Sequence, residues 1–480
     1  MLADLAAGLG GVALFALPGL ALTRLVPALR HLPLPRRLAY GYLLGLATVA
    51  GGLYVLSFLF DVPLRPPAVF ILAALPLPLL LLRRPMTGQV EPPARKILPL
   101  IAAAVGAFLS LGVLAAGVNQ PLQDWDGRMT WTAQARWIRA AGTVRPAVLE
   151  EGRWYVSHPR YPLLLPVAQA AVMDAFRADP DRQAFRPLYA AFFPVLLLVL
   201  YDGARRWAGR TAAALAVLAA CGIPLLPFGL DGGAAGAYSD LPLACFYGAA
   251  LVLLLRPVPR PADGVAAGLL LAACGLTKNE GALLAGAALL AAALLLRRSR
   301  RLRVGWRRLA AAGAVAALAF VFLAAWRSGI PNREDEDYAR LLATSGLWPN
   351  VVTRIPHLVP KVVRRMSRWE LWQGFWAVAP IVFLAGCRGL RRRVALPLLL
   401  AAAAPLAIAW GAYAVNPAPA ELVRVTWNRM LVQGSVPLLL LLSLALRYLL
   451  RRLPSRGRRS PGTRYANSSI SGSIFARGFH

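Results

Sequence analysis

The sequence predicts an all-α protein that crosses a membrane about thirteen times. Apolar residues make up 58% of its 480 positions, and the mean hydropathy is +0.57. Charged residues make up 15%, whereas a soluble protein of this size carries about 25%. Apolar runs of roughly 17 to 25 residues, each long enough to cross a bilayer, recur from end to end. These observations predict a polytopic membrane protein whose function depends on a few polar residues beside its helices.

Basic residues are concentrated in the short segments between apolar runs and in the C-terminal tail. These segments hold 32 of the 53 Lys and Arg residues, but only Glu91 and Asp263 of the 21 acids. They are Arg24–Arg37, Arg83–Lys96, Arg205–Arg210, Arg256–Asp263, Arg297–Arg308, Arg388–Arg393 and the tail from Arg447. Cytoplasmic loops of membrane proteins carry such an excess, so these segments are predicted to face the cytoplasm. The net charge of +32 therefore sets topology and does not indicate a nucleic-acid partner.

Thirteen apolar segments alternate with these basic loops. They lie near residues 5–26, 38–60, 67–82, 97–118, 187–204, 211–230, 241–255, 264–276, 282–296, 309–326, 370–387, 394–414 and 429–450. The arginines that follow the first span place the N-terminus outside the cytoplasmic (inner) membrane, and an odd number of spans then places the C-terminus in the cytoplasm. The predicted domains are N-terminal helices at 1–118, a transmembrane core at 119–453 and a basic tail at 454–480. The tail is rich in Ser, Gly and Arg, which predicts disorder.

Residues 119–187 are predicted to form a large first loop on the outer, extracytoplasmic side. Arg128, Arg136 and Arg139 fall at helical spacing within it, with apolar residues on another face. That pattern predicts a helix lying at the membrane interface. Residues 161–176 are apolar but too short to cross a bilayer, and they are predicted to be re-entrant or interfacial. A second outer loop is predicted at 327–368.

Three acids are candidates for chemistry on the outer side. Asp124 and Asp126 flank Trp125 at the end of a span, and such a pair can act as a general base or bind a divalent cation. Acids beside an aromatic-belt tryptophan can also simply tolerate the aqueous interface. Asp240 opens the span at 241–255, where its alternative role is a helix N-cap.

Five further residues are candidates for binding a substrate. Lys278 and Glu280 interrupt a long apolar run, and ionisable groups at the membrane edge indicate function, although a tight turn between short helices also explains them. Lys278 can contact a lipid phosphate as a point charge. Arg429 opens the last span and can clamp a phosphate or snorkel toward the rim. His158 and Tyr161 flank prolines that fix the entry of the next helix.

All these candidates fall on the outer side in a topology derived without them, and their motifs resemble a known superfamily. The resemblance is to the GT-C polyprenyl-phosphate-sugar glycosyltransferases, in the style of protein mannosyltransferases and aminoarabinose transferases. It covers roughly residues 119–437. It rests on Trp125-Asp126, His158–Pro162, Tyr238-Ser-Asp240, Thr277–Gly281 and Arg429 ahead of an apolar helix.

The chain departs from the superfamily pattern in three places. Three spans precede the one that normally comes first, and no large soluble domain follows the last span. His158-Pro-Arg160 stands where an acid-Lys-Pro sequence is usual. This last replacement leaves open whether residues 158–160 contact the phosphate of the lipid carrier.

The resemblance implies transfer of a sugar, with inversion or retention, from a polyprenyl-phosphate donor to a hydroxyl of a lipid, glycan or protein. It implies Asp126 as catalytic base or metal partner and Asp240 as a second acid, with basic residues holding the lipid phosphate. Asp126 matches better than Asp124 because it directly follows the tryptophan. The resemblance leaves open whether Asp126 and Asp240 bind a divalent metal ion. The expected partners are the donor and membrane lipids, without nucleic acid.

A transporter or lipid flippase is the alternative class. It would place ionisable residues near the bilayer midplane on broken helices, often within inverted repeats. The acids of this chain instead cluster at one predicted face, and the sequence contains no evident repeat. This distribution favours the glycosyltransferase.

Overall fold

The structure, a computed structural model, is helical throughout the residues that it describes. These are 2–82, 97–151, 154, 157–178, 184–256, 260–297, 302–332, 337–345, 347–391 and 393–452, and they contain no β-strand. The predicted basic loop at 83–96 and the predicted disordered tail at 454–480 lie outside the described residues. The all-α prediction is confirmed for the described part of the chain.

The helices of the N-terminal half include short ones that connect or interrupt long ones. They are α1 (Leu2–Leu22), α2 (Leu34–Gly45), α3 (Gly51–Phe60), α4 (Pro66–Ala74), α5 (Ile97–Asn119), α6 (Ala133–Ala141), α7 (Leu164–Ala175), α8 (Arg186–Ala190), α9 (Phe192–Ala208), α10 (Arg210–Cys221) and α11 (Leu225–Phe228). Single π-turns at Leu46–Ala50 and Gly127–Thr132 lead into α3 and α6 without breaking the chain direction.

The helices of the C-terminal half likewise include short ones between long ones. They are α12 (Asp240–Leu254), α13 (Pro261–Thr277), α14 (Glu280–Arg297), α15 (Leu302–Arg327), α16 (Tyr338–Ser345), α17 (Leu347–Met366), α18 (Trp369–Trp372), α19 (Phe375–Ala385), α20 (Ala395–Val415), α21 (Pro419–Gln433) and α22 (Ser435–Arg452).

Within the part of the chain that the structure describes, seven helical segments are long and apolar enough to cross a membrane. They are α1, α2 with α3, α5, α8 with α9, α14, α15 and α20. The pair α21 and α22 passes the same test together but is bent by 54°. The other predicted spans coincide with shorter apolar helices of 10–17 residues, and a helix of 15 residues reaches about 22 Å, less than the hydrocarbon core of about 30 Å. Within the described residues, length and composition thus agree with a polytopic membrane protein of seven or eight such spans.

Glycines allow the closest helix contacts. A Cβ at Gly19 would lie 1.7 Å from the carbonyl oxygen of Gly41, and one at Gly45 would lie 1.7 Å from that of Phe15. Between α13 and α15, a Cβ at Gly264 would lie 2.3 Å from the carbonyl oxygen of Arg308. Backbones that approach this closely leave no room for a side chain, as is typical of helix packing within membranes.

The central helix of the bundle is α12. All fifteen of its residues are buried, and it contacts α9, α13, α14, α21 and α22. A helix that is apolar all round is stable only when other elements cover every face. Its first residue, Asp240, therefore lies at one end of a helix that the bundle encloses.

The large loop folds onto the bundle. Arg128 and Arg136 are exposed, whereas Trp131, Ala135 and Ile138 are buried where α6 packs against α7. Ten of the twelve residues of α7 are buried. The predicted arginine face is thus present, but the opposite face packs on protein, and the predicted re-entrant segment is a short helix inside the molecule.

The topology yields a labelling prediction. Ala147 is exposed in a short 3₁₀ helix of the loop predicted to be extracytoplasmic, and the native Cys387 is exposed at a loop predicted to be cytoplasmic. We expect Ala147→Cys, in a Cys387→Ser background, to react with an impermeant maleimide in intact spheroplasts because the positive-inside partition places it outside.

Cys387 in the otherwise native chain is the matched control, and it should react only after lysis. Reaction of Cys387 in intact spheroplasts, with Ala147→Cys protected, would show that the predicted orientation is inverted.

Candidate functional site

A fully buried carboxylate organises the candidate site. Asp240 accepts hydrogen bonds at Oδ1 from Lys278 Nζ at 2.7 Å and from Gln433 Nε2 at 2.7 Å. Its Oδ2 accepts from Arg429 Nε at 2.9 Å. Asp240 is 0% exposed, and Lys278 and Arg429 are 1% and 8% exposed. Two helices, α12 and α21, and the turn between α13 and α14 therefore meet at one carboxylate.

Arg429 extends this cluster to the large loop. Its Nη1 lies 2.7 Å from Asp126 Oδ2, so one guanidinium contacts two of the acids that the sequence singled out. Its Cζ lies 4.9 Å from the centre of the Tyr238 ring, in a cation–π contact. We call Asp126, Asp240, Lys278, Glu280 and Arg429 the ion-pair network.

The turn between α13 and α14 places Lys278 in the network. Lys278 directly follows α13, and Glu280 is the first residue of α14. Lys278 Nζ also lies 3.4 Å from Glu280 Oε1. The tight-turn interpretation is therefore correct as a description of the backbone, and this turn is also what carries the lysine to Asp240.

The bend between α21 and α22 positions Arg429 and Gln433. The two residues are one helical turn apart, so they lie on the same face of α21, and both reach Asp240. The chain bends by 54° directly after Gln433, at Gly434 and one turn before Pro437, residue types that commonly cause kinks. Arg429 thus lies on a separate half-helix ahead of the bend and does not open the last long helix.

His158 and Tyr161 form an aromatic pair beside the network. Their rings stack with centroids 4.7 Å apart, and Trp131 lies 5.6 Å from Tyr161. His158 has a φ of 50°, and the Gln134 side chain donates to the carbonyl oxygen of His158 at 3.0 Å, which holds this turn. Tyr161 is close enough to interact electrostatically with Arg429.

Three contributing residues were not predicted from the sequence. Gln433 and Tyr238 contact the network directly, and Arg327 lies at its rim. Arg327 donates through Nη2 to the Asn279 side chain and through Nε to the Arg160 carbonyl oxygen, the latter at 3.0 Å. The helical spacing of Gln433 from Arg429 was visible in the sequence, whereas nothing in the sequence indicated where the end of α15 would lie.

The charges of the network nearly balance. It contains three carboxylates and two cations, all within the part of the chain that the structure describes. Removing a charge from water costs several kcal/mol per ion unless partners compensate it, so this degree of burial requires the full set of contacts. At the rim, Arg327 and Arg160 add positive charge close to Tyr161.

Asp124 lies apart from the network. It is 6% exposed, and its Oδ1 has no hydrogen-bond partner among the described residues. Burial raises the pKa of Asp124 to about 6; Arg186 opposes the shift, while Asp231 and Asp126 add to it. Of the two acids flanking Trp125, one is thus paired with an arginine and the other keeps an unpartnered oxygen.

Arg429 bridges Asp126 and Asp240, the two acids for which the sequence left a metal ion open. The guanidinium contacts both carboxylates. The described residues include no group of three or more His, Cys, Asp and Glu side chains that could hold a metal ion. The donor set at this point therefore fits an arginine better than a divalent cation.

An apolar groove reaches the bend from the side of the bundle. Its volume is about 540 Å³, and Trp376, Leu406, Met430, Gly434 and Leu438 are among the side chains and backbone that line it. Met430 directly follows Arg429 in the sequence. The groove therefore reaches the residue that follows Arg429 on α21.

No protein-family model, curated protein or solved structure matches this chain. The resemblance of its motifs to GT-C glycosyltransferases is therefore still a hypothesis from the sequence, and function is inferred from the site itself.

The burial of Asp240 yields a stability prediction. Asp240→Asn keeps the shape but leaves Lys278 and Arg429 buried without their shared counter-charge. Breaking a buried ion pair in this way costs about 3–5 kcal/mol, so the unfolding temperature of the detergent-solubilised protein should fall clearly.

Glu421→Gln is the matched control because it makes the same chemical change on α21. Glu421 pairs with Arg424, and both side chains are more than half exposed, where a pair contributes about 0–1 kcal/mol. Equal shifts in the two variants would show that the Asp240 contacts contribute no more than a surface pair.

The environment of Asp124 yields a pH prediction. Its pKa of about 6 lies above the usual 3.8, so the folded state holds the proton more tightly than the unfolded state, and this contribution to stability is lost as pH rises through 6. Asp124→Asn should therefore unfold at a higher temperature than the wild type at about pH 7.5, with the difference shrinking toward pH 4. Thermal unfolding across this range measures it, and a difference independent of pH would contradict the shifted pKa.

Proposed function

We propose that the protein is a membrane glycosyltransferase that transfers a sugar from a polyprenyl-phosphate donor to a hydroxyl acceptor at the outer face of the cytoplasmic membrane. One observation carries the proposal. The network joins acids and cations from four separate segments at one end of the bundle, and an apolar groove reaches Met430, the residue that follows Arg429. A lipid-phosphate sugar needs both a polar site for its headgroup and an apolar path for its tail.

The donor phosphate fits the cationic part of this site. Lys278 and Arg429 are fixed by Asp240, and Arg327 lies at the rim. Lys and Arg bind phosphate oxygens through charge-assisted hydrogen bonds. Because the network already contains three carboxylates, the additional charge of Arg327 is needed to make the rim attractive to an anion.

The polyprenyl tail fits the apolar groove beside the bend. The groove is open to the side of the bundle between α19, α20 and the α21–α22 bend, and it reaches Met430 next to Arg429. A chain lying there would place its terminal phosphate close to Arg429. The bend thus contributes to binding both parts of the donor. Arg429, ahead of the bend, would contact the phosphate, and Gly434, at the bend, lines the groove for the tail.

The carboxylates of the network fit the transition state of glycosyl transfer. As the bond to the phosphate breaks, the sugar ring develops oxocarbenium character, and fixed negative groups stabilise that charge. Asp126 is 16% exposed and Glu280 is 20% exposed, so both can face a bound sugar. Asp240 is enclosed by its partners and acts by positioning the two cations.

The finer topology belongs to the same proposal. Thirteen spans of GT-C type, with the N-terminus outside and the C-terminus in the cytoplasm, would use the shorter helices α4, α10, α12, α13 and α19 as spans completed by their flanking residues. This arrangement places the ion-pair network at the outer face, where polyprenyl-phosphate sugars are consumed by enzymes of this type.

A lipid flippase is the second candidate. The 54° bend beside buried ionisable residues favours it, because broken helices with such residues are typical of transporters. A flippase would move the intact donor between leaflets, whereas a transferase would release the lipid phosphate. The two functions therefore differ in whether the bond between the sugar and the phosphate of the donor is broken.

The donor assay tests the proposal. Purified protein is incubated with a panel of radiolabelled polyprenyl-phosphate sugars in the presence of membrane lipids, and release of the polyprenyl phosphate is followed. We expect Arg327→Met, Arg429→Met and Lys278→Met to raise the KM for the active donor. One charge-assisted hydrogen bond is worth about 1.5–3 kcal/mol, or roughly ten- to hundredfold in KM.

Arg424→Met is the matched control, because Arg424 lies on the same helix as Arg429 and is 62% exposed. Its KM should match that of the wild type. Arg327→Met is the most informative variant, since Arg327 forms no ion pair with a buried carboxylate among the described contacts. Translocation of labelled donor in vesicles without release of lipid phosphate would replace the transferase with the flippase.

A further inference from the structure

A cleft lined by four arginines lies at the end of the bundle opposite to the ion-pair network. Its volume is about 300 Å³, and it is lined by the end of α9, the start of α10 and the last turns of α22. The network includes a contact to Gln433, just ahead of α22, whereas the cleft lies about 20 Å further along that helix. The four arginines are Arg205, Arg210, Arg447 and Arg451. We call this cavity the arginine cleft.

The cleft brings together two of the basic segments that are predicted to face the cytoplasm. One is Arg205–Arg210, and the other is the tail that begins at Arg447. Gly209 joins α9 to α10 with a φ of 89°, a conformation that glycine adopts without steric cost. Arg205, in the last turn of α9, and Arg210, the first residue of α10, therefore reach the same cavity. The positive-inside rule explains why these segments are basic, but not why they converge.

Other arginines at this end of the bundle are neutralised by the protein itself. Arg36 and Arg206 both pair with the buried Asp202, at 3.3 and 2.8 Å. Arg308 donates hydrogen bonds to two backbone carbonyl oxygens. The described residues that line the arginine cleft, in contrast, include no Asp or Glu. Like charges around one cavity repel one another, so an anion in the cleft would relieve a repulsion that the fold contains.

One arginine of the cleft is held in place by the backbone. Arg447 donates through Nη1 to the carbonyl oxygen of Trp207 at 2.6 Å, which fixes its guanidinium group between α22 and the end of α9. A guanidinium carries five N–H donors in a rigid fork that matches the oxygens of a phosphate. A fork that is already fixed loses little side-chain entropy when an anion binds.

The first turn of α10 adds backbone donors to the cleft. Thr211 and Ala212 line it beside Arg210, and the N–H groups of a first helical turn have no acceptor within the helix. Gly209, at the N-cap, has no side chain that could accept from them. The N-terminus of a helix also attracts negative charge, which adds to the attraction of the four guanidinium groups.

This lining favours a phosphate as the ligand. It is rich in hydrogen-bond donors, and a phosphate offers several acceptor oxygens with a charge that four arginines can balance. The cleft also lies where the long apolar segment α8–α9 ends, and Leu450 is part of its wall. Basic pockets between membrane helices on the cytoplasmic side bind the headgroups of anionic lipids.

We propose that the arginine cleft binds a phosphate group that carries more than one negative charge. The binding is non-covalent, and the bound anion holds the junction of α9 and α10 to the last turns of α22. A lipid of the inner leaflet and a soluble phosphate compound share this chemistry. The site is separate from the ion-pair network, and it does not depend on the proposed glycosyl transfer.

The test measures binding to the full-length protein in a neutral detergent and a phosphate-free buffer. The probes are dioctanoyl phosphatidic acid, dioctanoylglycerol, which lacks only the phosphate, and inorganic phosphate. Isothermal titration calorimetry gives the affinity for each probe. We expect phosphatidic acid to bind and dioctanoylglycerol not to bind, because the arginines recognise the phosphate.

Arg451→Met is the informative variant, because Arg451 lines the cleft but is exposed, so its loss should leave the fold intact. Loss of one charge-assisted hydrogen bond should weaken the binding of phosphatidic acid by roughly tenfold or more. Arg452→Met is the matched control. Arg452 is also exposed, but it stacks on Tyr448 and does not line the cleft, so its replacement should leave the affinity unchanged. Thermal unfolding without ligand checks that both variants are folded.

The outcomes separate the source of the phosphate from the existence of the site. With the expected difference between the two variants, tighter binding of phosphatidic acid than of inorganic phosphate supports a lipid headgroup, and equal affinity supports a soluble phosphate. Equal affinities of Arg451→Met and Arg452→Met would overturn the proposal, since the interaction would then not involve the cleft. Equal binding of dioctanoylglycerol, or no binding of either phosphate probe, would overturn it as well.

Discussion

The buried carboxylate of Asp240 fixes how the helix ends of this protein meet. It stands at the first residue of α12, the helix that the bundle encloses completely, and a charge there is stable only with partners. Lys278 comes from the α13–α14 turn, and Arg429 and Gln433 come from α21. Because Arg429 also contacts Asp126, the large loop is fastened to the same point.

The bend between α21 and α22 follows from the same constraint. The chain bends by 54° directly after Gln433, and Arg429 and Gln433, on the α21 side of the bend, both contact Asp240. Gly434 and Pro437 make the bend possible. Its second consequence is the apolar groove at Gly434, so a polar site and an apolar surface arise from one irregularity in the backbone.

The candidate residues were predictable because ionisable side chains in an apolar sequence are costly and therefore few. Asp126, Asp240, Lys278 and Arg429 stood out for this reason, and the structure brings them together. The sequence did not show which of the two acids, Asp124 or Asp126, pairs with an arginine. The pairing depends on which carboxylate an arginine just over three hundred positions away reaches, and the position of Trp125 between the two acids does not determine that.

The sequence by itself determined the all-α class and the long apolar helices, because hydropathy along the chain measures the cost of leaving a segment in water. It also determined which side of the membrane each loop is predicted to face, through the partition of charge. Only the tertiary structure decided which charges are neutralised and which remain open to a ligand. Pairing depends on distances of a few ångströms between segments far apart in the chain, and the bend at Gly434 and the enclosure of α12 set those distances.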